Sequence, residues 1–226
     1  MTKKEEQELK RQAKLEKERA RIETMKVYEK EYESHGWICG IDEVGRGPLC
    51  GPVVAAAVIL PRGLYLEGLN DSKKLTAKKR DALYDLIIES AIAYSIEQGS
   101  VEEINETNIL EATMNAMRRA ISNLQTKASF ALVDGNIVRN FPIEAKAVIG
   151  GDAKSPSIAA ASILAKVTRD RLCIEMDQQF PMYGIAKHKG YGTKDHMAAL
   201  RKYGAEPSIY RTKFIRFLDK DENENG

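Results

Sequence analysis

The chain has 226 residues, 43% hydrophobic and 30% charged, with 35 Lys and Arg against 33 Asp and Glu for a net charge of +2. That length suits one domain with or without an appendage, and the composition excludes a disordered, collagen-like or low-complexity chain. The longest apolar run, Pro52 to Pro61, is half a membrane span, the N-terminus has no apolar signal segment, and three scattered cysteines (Cys39, Cys50, Cys173) make neither a disulfide framework nor a zinc site. The expectation is a reduced, cytoplasmic protein with no membrane partner.

Residues 1–34 differ from the rest, with ten Lys/Arg, nine Glu, no Gly and no Pro. This composition predicts a charged helical extension whose thin apolar stripe docks late, near Ile22–Tyr32. The body, 35–218, opens with a strand over Trp37–Val44. A Gly-rich turn (Gly45-Arg-Gly-Pro-Leu-Cys-Gly51) leads to a second strand over Val53–Leu60, which together suggest a hairpin. Asp71-Ser-Lys-Lys-Leu75 is a polar, basic loop before a helix starting near Thr76. A third strand is expected at Ala93–Glu97, a capping box at Ser100–Glu103, and a helix over Thr107–Gln125.

A buried strand, Phe130–Val133, runs into Asp134-Gly135, and another, Ala145–Ile149, into Gly150-Gly151-Asp152. Pro156 suits the first turn of a long Ala-rich helix, Ile158–Met176. A Gly- and Lys-rich loop, Lys187–Thr193, precedes C-terminal helices, and residues 219–226 form an acidic tail. The order predicts an α/β domain with a mixed sheet. From Lys187 to Arg216 there is a local excess of +6, interleaved with Tyr191, Tyr203, Tyr210, Phe214 and Phe217. Such a stretch faces either nucleic-acid phosphates or only solvent.

Three apolar strands end in acids: Asp42-Glu43, Asp134 and Asp152. Strand ends are where α/β sheets build ligand sites, and carboxylates gathered there need a counter-charge. With neither Cys nor a His cluster at hand, an oxygen-only set points to Mg²⁺ or Mn²⁺ and to phosphate chemistry, two ions acting as a pair. Asp42 and Glu43, as strand neighbours, share one site only where the strand ends or is distorted. Taken singly, each acid is also what a surface turn carries, although Asp42 lies within an apolar run where an unpaired charge is costly.

Ile41-Asp-Glu-Val-Gly-Arg-Gly-Pro48 resembles the opening motif of the type 2 ribonucleases H (ribonuclease HII). Val133-Asp-Gly135, Gly151-Asp152, the run Ser157–Asp170 and His188-Lys-Gly-Tyr-Gly-Thr193 follow in that family's order. The resemblance spans about 36–218 and leaves residues 1–34 outside. It implies a ribonuclease H-like fold, a five-stranded mixed sheet flanked by helices with a helical C-terminal region. It also implies Asp42, Glu43, Asp134 and Asp152 as catalytic metal ligands. The Gly45-Arg46-Gly47 turn becomes the element touching a ribose 2′-hydroxyl, and Tyr191 the residue packing on the next sugar. Arg46, where the related ribonuclease HIII family carries threonine, argues for type 2. It would hold a phosphate or form a surface ion pair, while Lys73 and Lys74 are phosphate contacts or solvated loop lysines.

The implied activity is hydrolysis of the RNA strand of RNA–DNA hybrids and incision 5′ of single ribonucleotides in duplex DNA, by a monomer, leaving 3′-hydroxyl and 5′-phosphate ends. The alternatives are a metal-independent nucleic-acid-binding module and a ribonuclease HIII-like hybrid nuclease. His188 and His196 are proton shuttles or, as expected, caps or packing groups, and Asp170 adds outer-shell charge or, as expected, pairs with Arg169 or Arg171 on the helix surface.

Overall fold

A computed structural model describes residues 2–218; the acidic tail expected over 219–226 lies outside the described residues. The chain begins with two helices, α1 (Lys3–Met25) and α2 (Val27–Glu31). Strands β1 (Ile38–Val44) and β2 (Val53–Ile59) follow, then α3 (Ala77–Ser90), β3 (Ala93–Gly99), α4 (Val101–Glu106) and α5 (Ile109–Ser122). Strands β4 (Phe130–Asp134) and β5 (Glu144–Val148) complete one sheet, and α6 (Pro156–Gln179), α7 (Ile185–His188) and α8 (Lys194–Tyr203) close the described chain. The sheet order is β3-β2-β1-β4-β5, antiparallel on the β3-β2-β1 side and parallel from β1 through β4 to β5. This is the expected five-stranded mixed sheet.

The two faces are covered differently. Cys39, Ile41, Ala55, Ala57 and Val133 pack with Met117, Ala120 and Ile121 of α5. Val54, Ala56 and Val58 pack with Leu83 and Ile87 of α3 and with Ala159–Leu164 of α6. Residues 156–165 of α6 are all buried, so this helix has no solvent face over its first three turns. Its alanines allow close approach to β1, and Gly40 completes the contact: a Cβ there would collide with the main chain of Ser157 and Ile158. Pro156 takes the first turn, and Ser155 caps the helix by accepting from Ile158 N–H at 3.2 Å.

Elements differ from expectation mainly at their ends. α5 starts at Ile109 rather than Thr107 because Asn108 accepts from Leu110 and Glu111 N–H and so serves as the N-cap. β1 and β2 do pair as a hairpin, yet residues 45–52 form an extended loop rather than a tight turn, since buried side chains from elsewhere hold its carbonyls.

The extension docks where its apolar residues concentrate. Ile22 and Met25 are buried in the α3/α6 core, and Tyr32 stacks on Phe130 with ring centroids 4.2 Å apart. Glu29 accepts from the hydroxyls of Ser155 (2.5 Å) and Ser157 (2.6 Å) and from Ser157 N–H, so α2 sits on the start of α6. Docking of this kind has a measurable signature. Ile22→Ala should lower the urea-unfolding free energy by about 2–4 kcal/mol, while exposed Leu9→Ala should change it by less than about 0.5 kcal/mol. Equal, small effects at both positions would show that the extension does not pack in solution.

Candidate active site

The C-terminal ends of the three parallel strands gather the acids. β1 pairs with β4 only through Ile41↔Val133, while on its other side it continues along β2 to Val44↔Val54. Asp42 and Glu43 therefore lie where β1 outruns its parallel neighbour. Asp134 ends β4, and Asp152 sits in a short 3-10 turn after β5. Asp42 faces α6 and is buried. It accepts from Glu43 N–H at 2.7 Å and from the Ser162 hydroxyl, which in turn meets the buried Ser72 hydroxyl at 2.9 Å. Asp134 accepts from Gly151 N–H at 2.7 Å, a bond that ties the end of β4 to the turn carrying Asp152.

Electrostatics links these groups into one site. Burial pushes the Asp42 carboxyl well above the usual carboxylate range, and the charges of Glu43 and Asp134 push it further. Glu43 is raised by burial and by Asp134, against the pull of Arg46, whose guanidinium stands 3.3 Å away. Asp152 is raised by burial, then by Asp71 and Asp134, with Lys73 opposing. The acids thus form a chain, with Asp134 felt by all three others. Among the described residues, no three acidic, His or Cys side chains close into a cage that would grip an ion unaided. The donor set is nonetheless made of oxygen alone and mutually repulsive, and no basic side chain bonds to Asp42. Those are the conditions a hard divalent cation relieves.

The 45–47 turn stands beside this cluster. Gly45 has φ +96°, and a Cβ there would collide with the Arg169 side chain beneath it. Arg46 and Gly47 are exposed. Tyr191, half exposed, lies beside the turn: a Cβ on Gly47 would stand 3.5 Å from its ring. Lys73 sits in the 3-10 turn Ser72–Lys74 and reaches the site through its charge on Asp152. All nine site residues expected from the sequence therefore fall on one edge of the sheet, with Arg46 also forming the ion pair expected as its other role.

Three contributors carry little signal of their own in the sequence: Asp71 and Ser72 lie in the basic loop and Ser162 in the long helix. A polar residue inside the apolar run Ile158–Leu164 is the one signal that pointed to Ser162. Two further expectations change. Asp170 pairs with Lys166 (2.6 Å) and Arg80 (3.6 Å), not with Arg169 or Arg171, because Arg169 turns inward and Arg171 reaches Asp81. Arg211, counted in the basic C-terminal stretch, is fully buried and adds nothing to its surface. His188 and His196 pack as expected, their rings stacked at 4.1 Å.

Comparison with known proteins agrees with this geometry. The family model described as ribonuclease HII matches residues 39–217. A ribonuclease HII from Methylibium petroleiphilum is 58% identical over 173 residues, covering 76% of this chain and 87% of the relative. The ribonuclease HII of Acetivibrio thermocellus is 51% identical over 209 residues, covering 92% and 81%. The crystal structure of ribonuclease H2 from Pyrococcus horikoshii superposes with a TM-score of 0.70 at 26% identity, over 83% of this chain and 99% of that one.

A mixed five-stranded sheet with acids at its parallel strand ends is thus the framework of a ribonuclease H, a metal-dependent endonuclease class acting on the RNA of RNA–DNA hybrids. Within that class, the chain belongs to the ribonuclease HII family. Among the described residues no helix is long and apolar enough to cross a membrane.

The raised carboxyls predict an unusual stability profile. The folded protein keeps protons at Asp42 that the unfolded chain releases near pH 4. The metal-free fold therefore loses stability as pH rises from that value through the raised folded pKa. Asp42→Asn removes the buried charge, so it should raise the melting temperature of the metal-free protein at pH 8, on the order of 2–4 °C per kcal/mol recovered. The gain should shrink at pH 5. A variant melting below the natural protein at pH 8 would show that the carboxylate stabilises the fold.

Proposed function

We propose that this protein hydrolyses the RNA strand of hybrids and incises duplex DNA 5′ of a single embedded ribonucleotide, with Asp42, Glu43, Asp134 and Asp152 as metal ligands. The observation that carries the reading is the convergence of four carboxylates, of which Asp42, Glu43 and Asp152 are raised by burial and by their acidic neighbours, beside an exposed Gly-Arg-Gly turn. Two Mg²⁺ or Mn²⁺ ions bound there would supply an activated water and charge for the leaving oxygen of an in-line displacement.

The chain's own groups do the rest. Asp42 is held in place by Glu43 N–H and Ser162, so its position does not depend on the substrate. Asp134 and Asp152 are kept in register by the Asp134–Gly151 bond. The two glycines of the Gly45–Gly47 turn let its main chain approach a sugar closely, and the N–H groups there suit a 2′-hydroxyl oxygen as acceptor. Arg46, anchored on Glu43 yet exposed, would take a backbone phosphate, and the Tyr191 ring would pack on the adjoining sugar. Lys73 would add phosphate contact from the Ser72–Lys74 turn. Residues 35–218 form the catalytic body in this reading. Residues 1–34, whose Glu29 bonds Ser155 and Ser157, serve it as a brace.

The deciding experiment incubates the protein with a duplex containing one ribonucleotide, with Mg²⁺, with Mn²⁺ and with neither, and sizes the fragments. Metal-dependent cutting immediately 5′ of the ribonucleotide, leaving 3′-hydroxyl and 5′-phosphate ends, is expected. Binding that ignores metal and weakens log-linearly with salt would leave only a binding module. Cutting of hybrid alone would match the ribonuclease HIII-like alternative.

Asp134→Asn should abolish cutting and the rise in melting temperature that Mn²⁺ gives the natural protein. Retention of both would remove Asp134 from the ligand set. Tyr191→Ala should lower kcat/KM at a lone ribonucleotide by roughly 10- to 100-fold while leaving the Mn²⁺ thermal shift intact. An unchanged rate would take Tyr191 out of the site.

A further inference from the structure

Among the described residues, Arg169 and Arg211 are the two largest side chains with almost no solvent exposure, 1% and 0%. Buried guanidinium groups are costly unless paired, and in the described structure neither meets a carboxylate. Their oxygen partners are main-chain carbonyls of two loops, and Arg169 Nη1 also lies 3.5 Å from the Cys173 sulfur. Arg211 donates through Nε to Gly51 (2.9 Å), through Nη1 to Arg46 (3.0 Å) and Pro48 (2.8 Å), and through Nη2 to Gly45 and Gly51 (both 2.7 Å). Those five bonds use all five N–H donors of a guanidinium, in its planar fork geometry. Arg169, on α6, donates to Pro52 (3.3 Å) and Cys50 (3.3 Å) in the same loop, and to Lys189 (3.0 Å) in the loop that carries Tyr191.

Main-chain bonds close the frame: Leu49 N–H to Gly190 (2.8 Å), Gly51 N–H to Ile209 (2.8 Å) and Arg211 N–H to Leu49 (3.0 Å). A second tie runs through His196, whose Nδ1 lies 2.9 Å from the Tyr191 carbonyl and whose Nε2 lies 2.8 Å from the Tyr210 hydroxyl.

We propose that Arg211 and Arg169 are positioning residues that preset the Gly45–Gly47 turn and its separation from Tyr191, so that the two grip the ribose at the cleavage point as one rigid unit. The inference rests on the ribonucleotide reading given above. Peptide geometry supplies its mechanism. Among the described residues all peptide bonds are trans, and a trans peptide points its N–H opposite its C=O. Because Arg211 draws the Gly45 and Arg46 carbonyls inward, the N–H groups of Arg46 and Gly47 turn outward, on the two exposed residues of the loop.

Arg169 meanwhile occupies the space beneath Gly45 and holds the Lys189 carbonyl two residues before Tyr191. An apolar side chain could fill either place at lower desolvation cost, but it could not fix the direction of a carbonyl. Burial and the neighbouring Arg169 push the Arg211 guanidinium down to about 10, which leaves it charged at neutral pH.

The test uses the full chain with Mn²⁺ and measures kcat and KM on a duplex with one ribonucleotide, together with the Mn²⁺-induced shift in melting temperature. If the natural protein does not cut this duplex, the function proposed above fails, and this inference with it. If it does, Arg211→Lys decides. Lysine keeps the charge but offers three donors without the fork. The expected result is a kcat lower by about 10- to 100-fold, KM for the duplex within about threefold, and an unchanged Mn²⁺ shift.

A full-rate Arg211→Lys variant would overturn the proposal, as would one that loses rate and Mn²⁺ shift in parallel. Should that variant not fold, Arg169→Lys is read by the same criteria. Failure of both to fold would also overturn it, since the arginines would then hold the fold and not the loop.

Discussion

The structure depends on an electrostatic tension at one edge of its sheet. Asp42 is carried into a buried position by a strand whose neighbours are apolar, and its carboxyl meets the fields of Glu43 and Asp134 with no basic side chain bonded to it. A protein that needed only stability would place a neutral residue there. Keeping the acids means that the fold gives up stability in the metal-free state for a site that, in the function proposed, a divalent cation would complete.

Everything around that edge keeps it from relaxing. α6 is buried on all sides over its first turns and lies against β1 across Gly40, so Ser162 cannot drift from Asp42. The same helix begins four residues after Asp152, is capped by Ser155, and carries Glu29 of the extension against its first turn. It then delivers Arg169 to the far side of the site, beneath the 45–52 loop. One helix thereby sets the spacing between the acids and the loop that would read the sugar. The extension acts on this spacing from behind, through Ile22, Met25 and Glu29, well removed from the exposed turn.

The rim of the site is built on the opposite logic. Where the acids repel and need an added cation, the 45–52 and 188–191 loops are held by cations already in the protein, buried among carbonyl oxygens. Carbonyls are partners with partial charge only, so Arg169 and Arg211 fix the loops without cancelling the formal charge of the carboxylates. A buried Asp or Glu partner for either arginine would have added another repelling group near the acids.

Local patterning was enough to specify much of this molecule. The strands and the long helix followed from apolar runs and cap residues such as Thr76, Ser100 and Pro156, because hydrophobic spacing and caps are local properties of the chain. The acids at strand ends were legible for the same reason, and the motif order pointed to the family. What the sequence could not show was direction in space. Arg169 and Arg211 looked like surface charges, since a charged residue reads as solvent-facing until the carbonyls that accept from it are brought together from positions 45–52 and 189. Asp71, Ser72 and Ser162 joined the site only through contacts across 80 residues or more of chain. Sequence alone determined the elements and the chemistry available at their ends. Tertiary structure decided which polar groups turn inward, because the hydrogen bonds that make burial of a charge tolerable come from segments that only folding makes neighbours.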